Sequence, residues 1–138
     1  MQRFEINETP AGLRLTAIGS TRAGLAIASI MGLFSIQHPS EVTSEASAQE
    51  HERLFALSGA NFGELLGKLL SGALVESVKN GETYNHFRFD LITDREAKGA
   101  YVGRVAALAT PIKGVRVAEG SVTKREDGTW GAELIIDE

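Results

Sequence analysis

Cysteine is missing from all 138 residues. Its absence excludes a disulfide framework, a thiolate zinc site and a cysteine nucleophile, and it fits a reducing compartment. Histidine is scarce: His38, His51 and His86 are the only three, and they do not fall at metal-ligand spacing. They read as surface histidines with no catalytic duty. Neither half of the chain has a surplus of positive charge. Residues 1–78 hold five basic and eight acidic side chains, and residues 79–138 hold nine and ten. That balance excludes a free-standing nucleic-acid binder working by counterion release, so any link to RNA runs through a partner protein. A long apolar run is lacking as well. The longest, residues 23–34, contains Ser29 and falls short of the about 20 residues that span a bilayer. No apolar stretch follows Met1-Gln2-Arg3-Phe4-Glu5, as a signal peptide would require. The expectation is a cytoplasmic protein with no membrane contact.

Catalytic signatures are absent too. There is no G-x-x-x-x-G-K-S/T, no H-E-x-x-H and no G-x-S-x-G. No serine has a local base beside it. Asp90, Asp94 and Glu96 read as a solvated strand end. With no acid, base or nucleophile set in view, the chain is not expected to be an enzyme.

What is present is an ordinary globular composition, 43% hydrophobic and 23% charged. At this length a chain buries roughly two thirds of its unfolded surface, enough for a core without staples. Residues 1–138 therefore read as a single domain. Strands are predicted at Phe4–Ile6 and Leu13–Ala17, joined by a loop over Asn7–Gly12. Thr21 is placed to cap a helix over 22–35, whose nearly all-round apolar surface calls for burial on more than one side. Gly24 and Gly32 inside it suggest the close approach of another segment. A polar surface loop follows at 37–52, then a strand at Arg53–Ser58. Asn61 is placed to cap a second helix over 62–78, with Leu65, Leu66, Leu69, Leu70, Ala73 and Leu74 as its stripe. Asn80-Gly81 marks its end, and the pair Gly63 and Gly67 suggests close packing.

Five strand-like runs follow: Tyr84–Thr93, Ala100–Leu108, Gly114–Ala118, Ser121–Glu126 and Thr129–Ile136. Asp94–Gly99 reads as a turn. In the first run Phe87, Phe89 and Leu91 alternate against His86, Arg88 and Asp90. Asp127-Gly128 predicts a two-residue type I′ hairpin, and Trp130, Ala132, Leu134 and Ile136 share one face of the last strand. The expected fold is α+β, with a mixed, mostly antiparallel sheet and two main helices packed on it.

Three stretches carry a family resemblance. Phe4-Glu5-Ile6 is followed by the loop Glu8-Thr9-Pro10-Ala11-Gly12 and a strand that ends in Gly19-Ser20-Thr21. The Leu-rich helix from Gly63 to Leu74 follows a short strand. The closing hairpin Glu126-Asp127-Gly128-Thr129-Trp130 leads to a strand ending in Ile136-Asp137. In order, spacing and length this resembles the archease family. Its members open with an aromatic-Glu strand, a loop reading Asp-His-Thr-Ala-Asp and a strand ending in Gly-x-Thr. The resemblance implies a non-enzymatic partner of an RNA-splicing ligase that joins 2′,3′-cyclic phosphate and 5′-hydroxyl ends through a guanylylated histidine. Archeases promote the guanylylation and let the ligase turn over. Their acidic side chains, the loop's last Asp and the C-terminal Asp above all, bind a metal ion.

The chain departs from the pattern at that site. The loop's Asp, His, Thr and final Asp are Glu8, Thr9, Pro10 and Gly12. A histidine the family carries before the late strands corresponds to Thr110, with Lys113 retained after it. Asp137 survives, and Glu8 is a stand-in for a second carboxylate. One or two carboxylates cannot enclose a hard cation, which takes about six oxygen ligands, so a divalent cation at Asp137 and Glu8 is expected to bind weakly. Lys113 is the expected partner-binding residue. On the first helix, Ala26, Ala28 and Ser29 replace the family's charged outer side. That substitution suggests either a homodimer interface or a helix covered by its own polar loop. Two functional readings follow: an accessory protein that modulates an RNA-splicing ligase, or an oligomeric binding module of the same fold that has lost the metal and the ligase role.

Overall fold

The computed structural model describes residues 2–10, 12–37, 39–41, 50–109 and 112–137. The first two strands are longer than their alternation suggests. β1 (Gln2–Thr9) and β2 (Gly12–Gly19) pair antiparallel from Gln2↔Gly19 to Thr9↔Gly12. Asn7 and Glu8, expected in a loop, are therefore strand. β1 is an edge strand exposed at most positions, so polar residues sit in it at little cost.

Helix α1 (Arg22–Ile36) begins where the sequence places it, with the Thr21 hydroxyl accepting the Gly24 N–H at 2.9 Å. Its side chains are buried around most of the circumference, from Leu25 to Phe34, because β1, β2 and β9 lie on one side and β5 on another. Ala26, Ala28 and Ser29, the residues that suggested a homodimer face, are fully buried within the chain. Gly32 is the point of closest side-chain approach. A Cβ there would stand 2.5 Å from Leu15 and 3.0 Å from the Phe4 ring.

Within the stretch expected as a polar loop, Pro39–Glu41 forms a short strand, β3, and Gln37 is buried; residues 42–49 lie outside those described. β4 (His51–Ser58) leads to α2 (Phe62–Asn80). Asn61 caps α2 through the Glu64 N–H, and Gly81 closes it in the left-handed conformation at φ 64°. Leu65, Leu66, Leu69, Leu70 and Ala73 form its buried stripe, as predicted.

β5 (Glu82–Ile92) and β6 (Glu96–Leu108) follow, so the expected 94–99 turn is shorter and Gly99 lies inside β6. Two register shifts break β5, between Tyr84 and His86 and between Phe89 and Leu91. The second overturns the expected alternation. Phe89 pairs with Gly99 while Leu91 pairs with Lys98, so Leu91 turns to the opposite face from Phe87 and Phe89.

The chain ends with β7 (Gly114–Val117), β8 (Thr123–Lys124) and β9 (Trp130–Asp137). The hairpin before β9 is not the expected two-residue turn. Arg125 and Thr129 close a three-residue loop, with Gly128 N–H bonded to the Arg125 carbonyl and Gly128 at φ 88°. The Asp127 carboxylate accepts both the N–H and the hydroxyl of Thr129. These bonds favour the longer loop over a tight I′ turn.

The α+β class and the two main helices are as expected, but the strands form two sheets instead of one mixed sheet. One runs β1-β2-β9-β7, with β8 also on β9. In the other, β6 is central between β5 on one side and β4 and β3 on the other. Every pairing among the described residues is antiparallel. Each helix touches both sheets, and one apolar cluster joins Leu15, Leu25, Leu33, Leu66, Tyr101 and Leu134.

Candidate functional site

The residues singled out in the sequence gather at the end of the first sheet where β9 stops. Lys113 donates its backbone N–H to the Asp137 carbonyl at 2.8 Å, which places the two residues side by side. Gly114 pairs directly with Asp137. Glu8 sits two strands away, since Glu8 pairs with Leu13 and Leu13 with Ile136. The register decides what this pair can do. Cross-strand partners project to one side, so Glu8 lies on the face of Leu13 and the buried Ile136, while Asp137, the next residue, lies on the other. Two strand spacings, about 10 Å, separate their backbones. The two carboxylates do not converge.

Gly12 stands where the resemblance implies an aspartate ligand. Its φ is 124°, a conformation L side chains rarely adopt, so an aspartate there would strain the backbone. Among the described residues no three His, Asp or Glu side chains are grouped to hold a metal. The donor set therefore does not fit the metal implied by the resemblance. Thr110 and His38 lie outside the described residues.

Sequence reasoning missed Gln37 at this end. It is 2% exposed, and its Oε1 accepts the Ile112 N–H at 3.0 Å. Its Nε2 has no partner among the described residues. By position it belongs to a loop, and nothing local marks it as buried.

A second polar cluster went unread in the sequence. Glu82, at the start of β5, is 1% exposed. The Arg53 guanidinium reaches its two oxygens from β4 at 2.8 and 2.9 Å, and the Tyr84 hydroxyl donates to Oε1 at 2.8 Å. His51 Nδ1 lies 3.8 Å from Oε2. The Ser77 hydroxyl, from the last turns of α2, bonds the Glu82 carbonyl. Burial works against the charged carboxylate, but the Arg53 fork and the Tyr84 hydroxyl outweigh it and hold the Glu82 carboxyl below its usual range. Burial, reinforced by the bond to Glu82, pushes the Tyr84 hydroxyl well above the usual tyrosine range. A carboxylate with three donors on it is a poor base, so the cluster is a clamp between β4, β5 and α2, not an acid–base centre.

The third feature is a groove of about 750 Å³ between α2 and β7. One wall is α2 from Asn61 to Ser71, and the other is the run Val115–Gly120, with Val122 and Trp130 at one end. Trp130 stands edge-on to Phe62, with ring centroids 5.7 Å apart, and the Arg22 guanidinium lies 4.8 Å from the Trp130 centroid. Arg22 is held in turn by Asp94 at 2.7 Å. Gly63 and Gly67, read as close-packing positions, face Val122 and Val117 at 3.7 and 3.8 Å from where a Cβ would be.

Two antiparallel sheets, with two helices each in contact with both, define an archease-like α+β protein. Solved structures bear this out over nearly the whole chain. An archease from Thermotoga maritima, TM1083, described as a possible chaperone, is similar over 97% of this chain and 96% of its own, with TM-score 0.61 and 13% identity. Protein 1598 of Methanobacterium thermoautotrophicum is similar over 98% of each chain, with TM-score 0.61 and 19% identity. At such identities the likeness establishes the fold alone. No protein-family model matches the chain, and no curated protein matches it in sequence. Among the described residues no helix is long and apolar enough to cross a membrane.

Proposed function

We propose that this chain is a non-enzymatic accessory protein of archease type, which acts by contacting an RNA-splicing ligase. The observation that carries this reading is the full-length likeness in fold to an archease described as a possible chaperone. The side-by-side placement of Asp137 and Lys113 at the end of β9 supports it. Multiple-turnover RNA ligation by the ligase of the same organism, with and without this protein, tests it. Turnover is expected to rise several-fold with the wild-type protein and to fall back with Asp137→Ala. Stimulation unaffected by D137A would remove Asp137 from the proposal.

A cation held by Asp137 alone, with water in its other positions, is expected to bind weakly. Mg²⁺ at about 1 mM should then leave the unfolding midpoint unchanged within roughly 0.5 °C, because a ligand far below its Kd adds almost no stability. A clear rise in midpoint that disappears in D137A would show a real site.

The alternative reading is a binding module of the same fold that has lost the ligase role. Gly12 in a backbone conformation that disfavours side chains, and Glu8 on the other face from Asp137, favour it. No stimulation at saturating protein would decide for it.

A further inference from the structure

Strand β1 ends its sheet among the described residues, with β2 along one side of it. Which of its backbone groups point to the open side follows from the ladder across the sheet. On β9 the Glu133 and Asp137 carbonyls accept from Ala118 and Lys113, so these two residues bond toward β7. Alternate residues of an antiparallel strand bond to opposite sides. Leu134 and Ile136 therefore bond toward β2, at their partners Leu15 and Leu13. Arg14, Thr16 and Ile18 then bond toward β1, at Asn7, Glu5 and Arg3. Neither pairing contains a register shift. Gln2, Phe4, Ile6 and Glu8 are left with their N–H and C=O groups directed away from β2, at the edge. Six of the eight β1 residues are exposed. Proline and a bulge, two features that blunt an open edge, are missing from it.

The side chains select an occupant. Arg3 and Glu5 are exposed on the outer face of the sheet, and neither has an ion-pair partner among the described residues. Phe4 and Ile6 lie on the face of Ala17 and Leu15, toward α1, with Phe4 against Gly32 and Ile6 38% exposed. A second β1 laid antiparallel along this edge is related to the first by a two-fold axis. Because the outward residues alternate, the axis must pass beside one residue, which then faces its own copy. An axis at Arg3 or at Glu5 sets like charges directly opposite each other, which is unfavourable. An axis at Ile6 sets Glu5 opposite Asn7 and pairs neither charge. Only an axis at Phe4 sets Arg3 opposite the partner's Glu5 and Glu5 opposite the partner's Arg3. It also sets the two Phe4 rings opposite each other on the α1 face and Ile6 opposite the partner's Gln2. Phe4, Gln2 and Ile6 then exchange about six backbone hydrogen bonds across the edge.

We propose that the partner of the β1 edge is a second copy of this chain, added antiparallel with the two-fold axis at Phe4 and held in register by two Arg3–Glu5 pairs. The two first sheets join into one continuous sheet. This contact is not the α1 face of Ala26, Ala28 and Ser29, which is interior. It is also independent of the ligase reading, since Asp137 lies on β9, two strands from the edge.

The test is sedimentation velocity of the full chain over a range of concentrations. Wild type is expected to pass from the 14.8 kDa monomer to a dimer. A dissociation constant of about micromolar is expected. Arg3→Glu and Glu5→Arg should each weaken the dimer roughly tenfold or more, because each turns both attractive pairs into repulsive ones. The double variant R3E/E5R should restore it. An equimolar mixture of R3E with E5R should dimerise where neither does alone, because every opposed pair in the mixed dimer is again of opposite sign. Ile6→Pro removes an edge N–H and no bond of the β1–β2 ladder, so it should give a folded monomer. The charge variants lie at exposed positions and keep the test open if I6P fails to fold. Three results would overturn the proposal: a wild-type monomer up to about millimolar, a dimer indifferent to both single charge reversals, or no recovery in the double variant and the mixture.

Discussion

Glu82→Ala is expected to destabilise the protein by about 3 kcal/mol at neutral pH, lowering the unfolding midpoint by roughly 10 °C. The reason is not that the ion pair is strong. Bringing Glu82 out of water is costly, and the Arg53 fork with the Tyr84 hydroxyl offsets that cost. Removing the carboxylate leaves Arg53, Tyr84 and His51 arranged around an anion that is gone. The same logic gives a second expectation: changing Arg53 to Met together with Glu82→Leu should be milder than E82A alone, because no stranded charge remains. Thermal unfolding of the three proteins checks both statements. A loss below about 1 kcal/mol in E82A would mean that water satisfies the cluster instead.

The pH dependence has a definite sign. The Glu82 carboxyl is held lower in the folded protein than in the unfolded chain, where a glutamate titrates near about 4.3. Its contribution is therefore fully present above that unfolded value and is lost as pH falls through the lower folded value. The gap in stability between wild type and Glu82→Gln should be constant from neutrality down to about pH 5 and should close below about pH 4. Chemical denaturation at pH 7 and at pH 3 measures this directly. A gap that widens in acid would contradict the burial and bonding at Glu82.

Gly19→Ala is expected to cost about 3 kcal/mol or more, an unusually large effect for one methyl group. A Cβ at Gly19 would stand 2.2 Å from the Leu25 nitrogen and 2.3 Å from the Gly24 carbonyl carbon. Both are backbone atoms of the first turn of α1, so no side chain can swing aside. Either α1 moves off β2 or the hairpin of β1 and β2 shifts under it. Thr21, two residues on, caps the same turn. The segment Gly19-Ser20-Thr21 thus does two jobs at once: glycine lets the helix start against the strand, and threonine satisfies one of its free N–H groups, that of Gly24. Denaturant unfolding of G19A gives the magnitude, and a change under about 1 kcal/mol would mean that the two backbones have room to part.

Gly19 also shows where sequence reading stops. That a strand ends there and a helix begins is local information, carried by glycine and a capping hydroxyl within three residues. The same holds for Asn61, for Gly81 and for the leucine stripe of α2, all of which fold as read. Leu91 does not, because a bulge in β5 has no marker of its own. It arises from how β5 must track β6, and it turns Leu91 outward without any change in the alternating pattern. Glu82 in Asn80-Gly81-Glu82-Thr83 looks like any polar residue after a helix. It is buried because Arg53, far earlier in the chain, lies opposite it across β6.

The sequence by itself determined the order of the elements other than β3, the caps, the α+β class and the likeness to archeases, since each rests on residues close together or on their spacing. Only the tertiary structure decided that the strands divide into two sheets and that Ala26, Ala28 and Ser29 are interior. It also decided that Glu8 and Asp137 face apart and that α2 and β7 line a groove. Those outcomes depend on strand register and on which edges meet, and a shift of one residue reverses every face.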